Sequence, residues 1–227
     1  MKKTIRTVLS VTLFASVALA EQLPPVTSDK ADQGLCGGGT PGWIGQKDVR
    51  VGYGTTNTMG GAYVMVFALP TLPDGETIKS ATLAINVLAP QGVFGGEADW
   101  NIDVYGVRGS SASKVLLTDF FEGENDTNAT KVIDNFIAVK GNAAATVGPC
   151  DTGKNAAFGT WLQTLYEGNT PKQKYAVVRL NADVAFANYK NTRNSALQNT
   201  SRFLNIGTGD NDTAAARPVL TITAAAK

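Results

Sequence analysis

The sequence predicts a mainly β protein, a jelly-roll-type β-sandwich with one or two short helices in its connections. Short segments alternate apolar and polar residues with the period of two that half-buried strands require. Turn residues such as Pro73-Asp74-Gly75 separate these segments. Helical spacing of apolar residues is clear in one place, at Phe158, Trp161, Leu162 and Leu165.

Residues 1–20 predict an export signal. Lys2, Lys3 and Arg6 precede an apolar stretch, and Ala18-Leu19-Ala20 is a small-x-small cleavage site. The apolar stretch is short for a membrane span. We therefore expect cleavage after Ala20 and a secreted or cell-surface protein, of bacterial type, with no membrane span after cleavage.

Residues 21–47 predict an irregular segment, because Pro and Gly recur in it, and residues 48–227 predict a single β-sandwich domain without a linker or internal repeat. In one strand the alternation changes phase between Ile78 and Ala81, which indicates either a β-bulge or a later strand start. A second short helix is expected over residues 129–136. Strands are expected at 48–53, 62–69, 77–88, 100–107, 174–180, 201–206 and 218–223.

Cys36 and Cys150 are the only cysteines. In an exported protein the expected state is a disulfide between them. The bond would connect the N-terminal segment to the middle of the chain, and chain entropy would make it worth up to about 4.7 kcal/mol. Two free thiols are the alternative.

The composition excludes several classes of function. The chain has no histidine, so it has neither a Ser-His-Asp triad nor a histidine-ligated zinc site. Loss of residues 1–20 would leave 17 basic against 19 acidic residues. The basic residues form no run that could follow a phosphate backbone. We therefore expect no nucleic-acid partner.

Two groups of acidic residues are candidates for chemistry. Glu122 and Glu124 are close enough for glycoside hydrolysis, but catalytic carboxylates generally come from separate rigid elements, and we expect no enzymatic activity. Asp210, Asn211 and Asp212 offer oxygen ligands for a structural calcium ion. The alternative is a turn, because Asp and Asn accept turn backbone angles. We expect no other cofactor.

The candidate carbohydrate-binding residues are Trp43, Tyr53 and Tyr189. Each stands in polar or glycine-rich surroundings, and an exposed aromatic ring can stack on a sugar. Trp100 and Trp161 follow the core periodicity, so we expect them to be buried. The alternative for Trp43 is a ring that covers the disulfide at Cys36.

The segment Phe67-Ala68-Leu69-Pro70-Thr71-Leu72-Pro73-Asp74-Gly75-Glu76-Thr77-Ile78-Lys79-Ser80-Ala81-Thr82-Leu83 resembles the signature of the DNRLRE-type domains, which include the alginate-binding modules of carbohydrate-binding family 96. The ending Ala216-Arg217-Pro218-Val219-Leu220-Thr221-Ile222-Thr223 is similar to theirs, as is the helix followed by Tyr175 to Leu180. The resemblance implies an extracellular jelly roll of the kind found in adhesins, matrix proteins and polysaccharide-degrading systems, without catalysis.

Two hypotheses of function remain, with an enzyme of unrecognised type as a third. The first is an extracellular structural or adhesive protein that self-associates into a surface filament or matrix. It fits a single domain with only 17% charged residues and an N-terminal segment long enough to add a strand to a neighbour. The second is a soluble module that binds an extracellular polysaccharide.

Overall fold

Most of the described chain is β-strand. The structure is a computed structural model and describes residues 19–26, 33–36, 43–44, 46–54, 59–94, 100–116, 118–121, 129–139, 146–182 and 201–227. The strands are β1 Leu19–Leu23, β2 Gln33–Cys36, β3 Trp43–Ile44, β4 Asp48–Gly54, β5 Met59–Ala68, β6 Glu76–Phe94, β7 Trp100–Ser110, β8 Thr130–Val139, β9 Gly148–Asp151, β10 Tyr166–Glu167, β11 Thr170–Pro171, β12 Tyr175–Ala182, β13 Ser201–Gly207 and β14 Val219–Ala226. The helices are α1 Thr118–Phe121, α2 Ala156–Thr164 and a 3-10 turn at Ala214–Ala216.

Twelve of the described strands form one antiparallel sheet, and β10 and β11 form a separate hairpin. The main path of the sheet is β1-β14-β6-β13-β4-β5-β12-β7-β8. Because β6 is long, β13 pairs with its second half and β14 with its first half, one after the other. β1 then pairs with β14, and β4 pairs with β13.

The sheet curls around a hydrophobic core. Side chains from distant positions in the strand order meet there, and they include Val51, Met65, Leu83, Val178 and Leu220. This arrangement is consistent with a β-sandwich. The prediction of a mainly β fold is confirmed, and the jelly-roll connectivity stays a prediction.

Glycines permit the close approach of β4 and β5. Gly52 has a φ of 142°, which favours glycine. A Cβ on Gly61 would lie 2.1 Å from the Arg50 carbonyl oxygen, so only glycine allows the two strands to approach this closely.

The phase change in β6 is a β-bulge. Thr223 of β14 pairs with Ser80, and the next residue, Ala224, pairs with Ile78, so that Lys79 is left over. The extra residue shifts the alternation by one position. Of the two alternatives that the sequence left open, the structure therefore shows the bulge.

Helix α2 confirms the helix that the spacing of apolar residues predicted. Asn155 caps it by accepting a hydrogen bond from the Phe158 N–H at 2.9 Å. Phe158, Trp161 and Leu162 are buried, and Gly159 lets the helix lie directly on β6, because a Cβ there would be 2.6 Å from Ser80 Cα. None of the helices in the described part of the chain is long and apolar enough to cross a membrane.

The predicted helix over residues 129–136 was wrong, because residues 130–136 belong to β8. Asn135 has a φ of 55°, and the pairing of β8 with β7 shifts register beside it. The irregularity breaks the alternation, so that Val132, Ile133, Phe136 and Ile137 imitate helical spacing.

The expectation of an irregular segment at residues 21–47 also needs correction. Its described residues include β2, β3 and most of β1. These strands are too short to show an alternating pattern, and they form because edges of the larger sheet supply their hydrogen-bond partners.

Candidate functional site

The N-terminal residues lie along two separate edges of the sheet. β1 pairs antiparallel with β14, so that Leu23 lies opposite Leu220. The Val26 N–H then donates to the Val66 carbonyl of β5 at 2.9 Å, and β2 pairs with the same strand. We call residues 19–26 and 33–36 the N-terminal strap.

The first part of the strap is held mainly by its backbone. Gln22 is exposed, whereas Glu21 and Leu23 are partly buried. Leu23 packs against the main core, and Val26 packs against a smaller apolar cluster on the other face of β5. Pro25 is the one buried side chain among the described ones of residues 20–26, so the hydrophobic effect makes a modest contribution to this attachment. Among the described strands, β1 pairs only with β14 and is therefore an edge strand.

A network of buried charged side chains joins α1 to β7 and β12. Asp119 of α1 is 1% exposed and accepts two hydrogen bonds from Arg108, at 2.6 Å from Nε and 2.7 Å from Nη2. Arg179 is fully buried, donates Nη1 to the Asp119 carbonyl at 3.3 Å, and lies 4.8 Å from the centre of the Tyr105 ring. The network fixes the chain after β7 against the sheet.

A second ion pair lies between β7 and β8. The Lys131 Nζ is 2.7 Å from Oδ2 of the fully buried Asp103, and the Asn135 N–H donates to the other oxygen at 2.8 Å. Burial lowers the pKa of Lys131, but hydrogen bonds to Asp103 and Asp134 outweigh burial and hold the pKa above its ordinary range. Lys131 therefore stays charged at neutral pH.

Sequence reasoning missed both charged groups. The available signal was a charged residue inside an apolar strand, namely Asp103 between Ile102 and Val104, and Arg179 between Val178 and Leu180. Charged residues are rarely fully buried unless they are paired. The partners come from distant parts of the chain, and the sequence pattern alone does not identify them.

The predicted metal ligands form a hydrogen-bonded turn. Asp212 forms an ion pair with Lys47. The Asn211 Nδ2 donates to the Lys47 carbonyl at 2.7 Å, and its Oδ1 accepts from the Thr213 N–H at 2.9 Å. Asp210 Oδ2 is buried without a hydrogen-bond partner in the described part of the chain. The side chains of Asn211 and Asp212 are thus engaged in contacts within the protein. The structural calcium ion stays a prediction.

No group of three or more His, Cys, Asp or Glu residues that could hold a metal ion occurs in the described ranges.

The predicted disulfide partners lie on different strands. Cys36 ends β2, which pairs with β5, and Cys150 lies in β9, which pairs with β6. Cys150 is a free, half-buried thiol with respect to the described side chains, and burial, followed by the charge of Asp151, raises its pKa. The Cys36 side chain lies outside the described residues. The disulfide therefore stays a prediction.

The predicted carbohydrate-binding residues are only partly described. Trp43 lies in β3, which pairs with β2, and Tyr53 lies in β4 opposite Arg202. The side chains of Trp43 and Tyr53 lie outside the described ones, as do Tyr189 and the Glu122–Glu124 pair altogether. The burial predicted for the other two tryptophans is confirmed, at 4% exposure for Trp100 and 9% for Trp161.

An open groove of about 620 Å³ lies beside the start of β12. Tyr175 in its wall is partly buried, and Lys174 is exposed. Lys172 donates its Nζ to the Thr164 carbonyl at the end of α2, at 3.0 Å. Sequence reasoning did not single out the polar residues that line this groove. The lining residues are Ala68, Leu69, Thr71, Ser111, Thr170, Pro171, Lys172, Gln173, Lys174 and Tyr175.

No family model and no curated protein matches the chain. The resemblance to the DNRLRE-type domains stays a prediction that rests on the residues quoted for it. A proposal of function must therefore rest on the geometry of the strap and the groove.

Proposed function

We propose that the protein is a non-catalytic, extracellular structural or adhesive subunit that associates with further copies of itself through its N-terminal strap. The observation that carries this proposal is the attachment of β1, which is an edge strand paired with β14 through its backbone, with only the partly buried Leu23 packed against the main core. Such a strand can leave its own sheet and make the same contacts on a second copy.

The chemistry of the rest of the molecule supports a structural subunit. Asp103 and Asp119 are buried carboxylates, and each is paired with a cation that stabilises it in place. The predicted export signal would put the protein outside the cell. There, repeated strand addition would build a filament or matrix from a single kind of subunit.

Sedimentation velocity on residues 21–227, followed by imaging of the fast species, tests the proposal. We expect ordered polymers from this protein and a folded monomer after deletion of residues 21–35, because the deletion removes most of the strap. Gln22→Ser is the matched control, since Gln22 is exposed and the strap is otherwise kept.

Two results would contradict the proposal. If the deletion variant keeps its circular dichroism spectrum and still polymerises, the strap is not the assembly element. If residues 21–227 stay monomeric at every concentration and salt level tested, the protein does not assemble by itself. A shorter deletion, of residues 21–26, replaces the longer one if that variant fails to fold.

Polysaccharide binding is the second candidate, and the groove beside β12 favours it. The groove has the size of a ligand site and combines the Tyr175 ring with hydroxyl, amide and ammonium groups. We expect Tyr175→Ala to weaken retention in gels that contain pectin, carboxymethyl-cellulose or laminarin, with Gln22→Ser as control. Trp43→Ala tests the site predicted from sequence in the same gels. Unchanged retention of both variants would remove this candidate.

A further inference from the structure

The cleavage site predicted after Ala20 lies inside β1. The strand runs from Leu19 to Leu23 and makes five register pairs with β14. Loss of Leu19 and Ala20 leaves three of these pairs. Ala224 and Thr223, which lie opposite Leu19 and Ala20, would then have no partner on the β1 side.

The edge that cleavage uncovers is held in place independently of β1. On its other side β14 pairs with β6 along its whole length, from Val219 to Ala226. Leu220, Ile222 and Ala224 are buried in the main core. The outer edge of β14 therefore stays an ordered template when β1 is shortened or leaves.

The side-chain pattern of the edge selects its occupant. In β1, Leu23 lies opposite Leu220 on the core side, and the exposed Gln22 lies opposite Thr221 on the outer side. An incoming strand needs an apolar residue at the first position and tolerates a polar one at the second. The strap of a second copy has both residues at the required spacing.

We propose that the outer edge of β14, residues 220–222, is the acceptor site for the N-terminal strap of a second copy, and that removal of Leu19 and Ala20 after export weakens the hold of the copy's own β1 on this site. The proposal rests on the proposed function and adds the acceptor strand, the register and the trigger. The two retained residues would lengthen the pairing of β1 with its own β14 and so disfavour exchange.

Cross-linking between two proteins that each carry one engineered cysteine tests the acceptor. One protein carries Gln22→Cys and the other Thr221→Cys, and these positions lie directly opposite each other in the register. Opposite Cβ atoms in an antiparallel pair are close enough for a disulfide. Neither protein contains both engineered cysteines, so a disulfide between the two engineered positions requires the strap of one copy on β14 of the other.

The two proteins, each starting at Glu21, are mixed, oxidised and separated on a non-reducing gel. We expect a heterodimer that reductant removes. Thr213→Cys is the matched control for Thr221→Cys, because Thr213 is exposed and precedes β14, and it should give no heterodimer. Each variant oxidised alone controls for bonds made by Cys36 and Cys150.

The outcomes separate this proposal from the proposed function. Polymers in sedimentation velocity without a Gln22–Thr221 heterodimer would overturn the acceptor site and leave self-association standing. Absence of any polymer would overturn both. For the trigger, proteins that start at Leu19 are prepared in the same way, and we expect a lower yield of heterodimer from them. Equal yields would overturn the role of cleavage.

Discussion

Single residues decide how closely α2 approaches the sheet. A Cβ on Gly106 of β7 would lie 2.1 Å from Cε2 of the buried Trp161 ring. We expect Gly106→Ala to lower the free energy of unfolding by about 1–3 kcal/mol, because the ring or the strand must move. Urea denaturation measures this.

Gly109, in the same strand, provides the matched control for this substitution. A Cβ there would meet only the flexible Gln173 side chain, at 3.1 Å and more, and then Leu165 at 3.5 Å. We expect Gly109→Ala to cost much less than Gly106→Ala. Equal costs for the two variants would show that contact with Trp161 does not decide the choice of glycine.

Asp119 is the residue on which the buried charge network depends. Its substitution by alanine would leave the half-buried Arg108 without its carboxylate partner. We expect Asp119→Ala to lower the free energy of unfolding by about 3 kcal/mol, since breaking a buried pair leaves an uncompensated charge. Thermal and urea unfolding both report this change.

Asp134 is the comparison for Asp119. It also pairs with a cation, Lys131, but its side chain is 60% exposed. Exposed pairs contribute at most about 1 kcal/mol, so we expect Asp134→Ala to have a small effect. The interpretation of Asp119 fails if the two alanine variants are equally stable.

At the scale of the element, α2 depends on the residue that caps its N-terminus. The Asn155 side chain caps the helix, and its backbone exchanges two hydrogen bonds with Ala81 of β6, at 2.9 and 3.0 Å. We expect Asn155→Ala to cost about 1 kcal/mol and Asn155→Asp to retain most of the stability. Thr160→Ala, on the exposed face of α2, should cost less. An equal loss for Asn155→Asp would argue against the cap.

Elements were predictable where local pattern and tertiary contacts agree. The spacing of Phe158, Trp161 and Leu162 reports the face that α2 buries on β6, and the same residues predicted the helix. In β8, the backbone at Asn135 interrupts the alternation because its N–H bonds to the buried Asp103. That partner lies 32 residues away, so the local pattern of β8 did not predict a strand.

At the scale of the whole molecule, the mainly β class followed from the alternating strands, but the candidate sites did not follow from local sequence. The strap can be recognised only from the pairing of β1 with β14, because the two strands lie almost the full length of the chain apart. The charge network likewise needs α1, β7 and β12 together. Pairing across such distances depends on the global fold, which sequence periodicity does not specify.

The stability of the whole molecule should fall in alkaline solution. Burial raises the pKa of Cys150, and burial followed by the charge of Glu21 raises the pKa of Tyr166. The pKa of Lys131 is also raised, because its hydrogen bonds outweigh burial. The folded state therefore keeps protons that the unfolded state releases from about pH 8.5 upward. The chain has no histidine, the side chain that ordinarily titrates near neutral pH, so we expect the melting temperature to stay constant from about pH 6 to 8. We expect it to fall from about pH 8.5 to 12.

Tyr166→Phe isolates one of these groups. The Tyr166 hydroxyl donates to the Pro70 carbonyl at 2.8 Å, so the variant should lose about 1 kcal/mol at pH 7. Above about pH 10 ionisation of the tyrosine stabilises the unfolded state of the parent protein, whereas the phenylalanine variant has no such group. The difference in the free energy of unfolding between the two proteins should therefore shrink as the pH rises. A constant difference up to pH 11, measured by urea denaturation under reducing conditions, would show that Tyr166 does not link stability to pH.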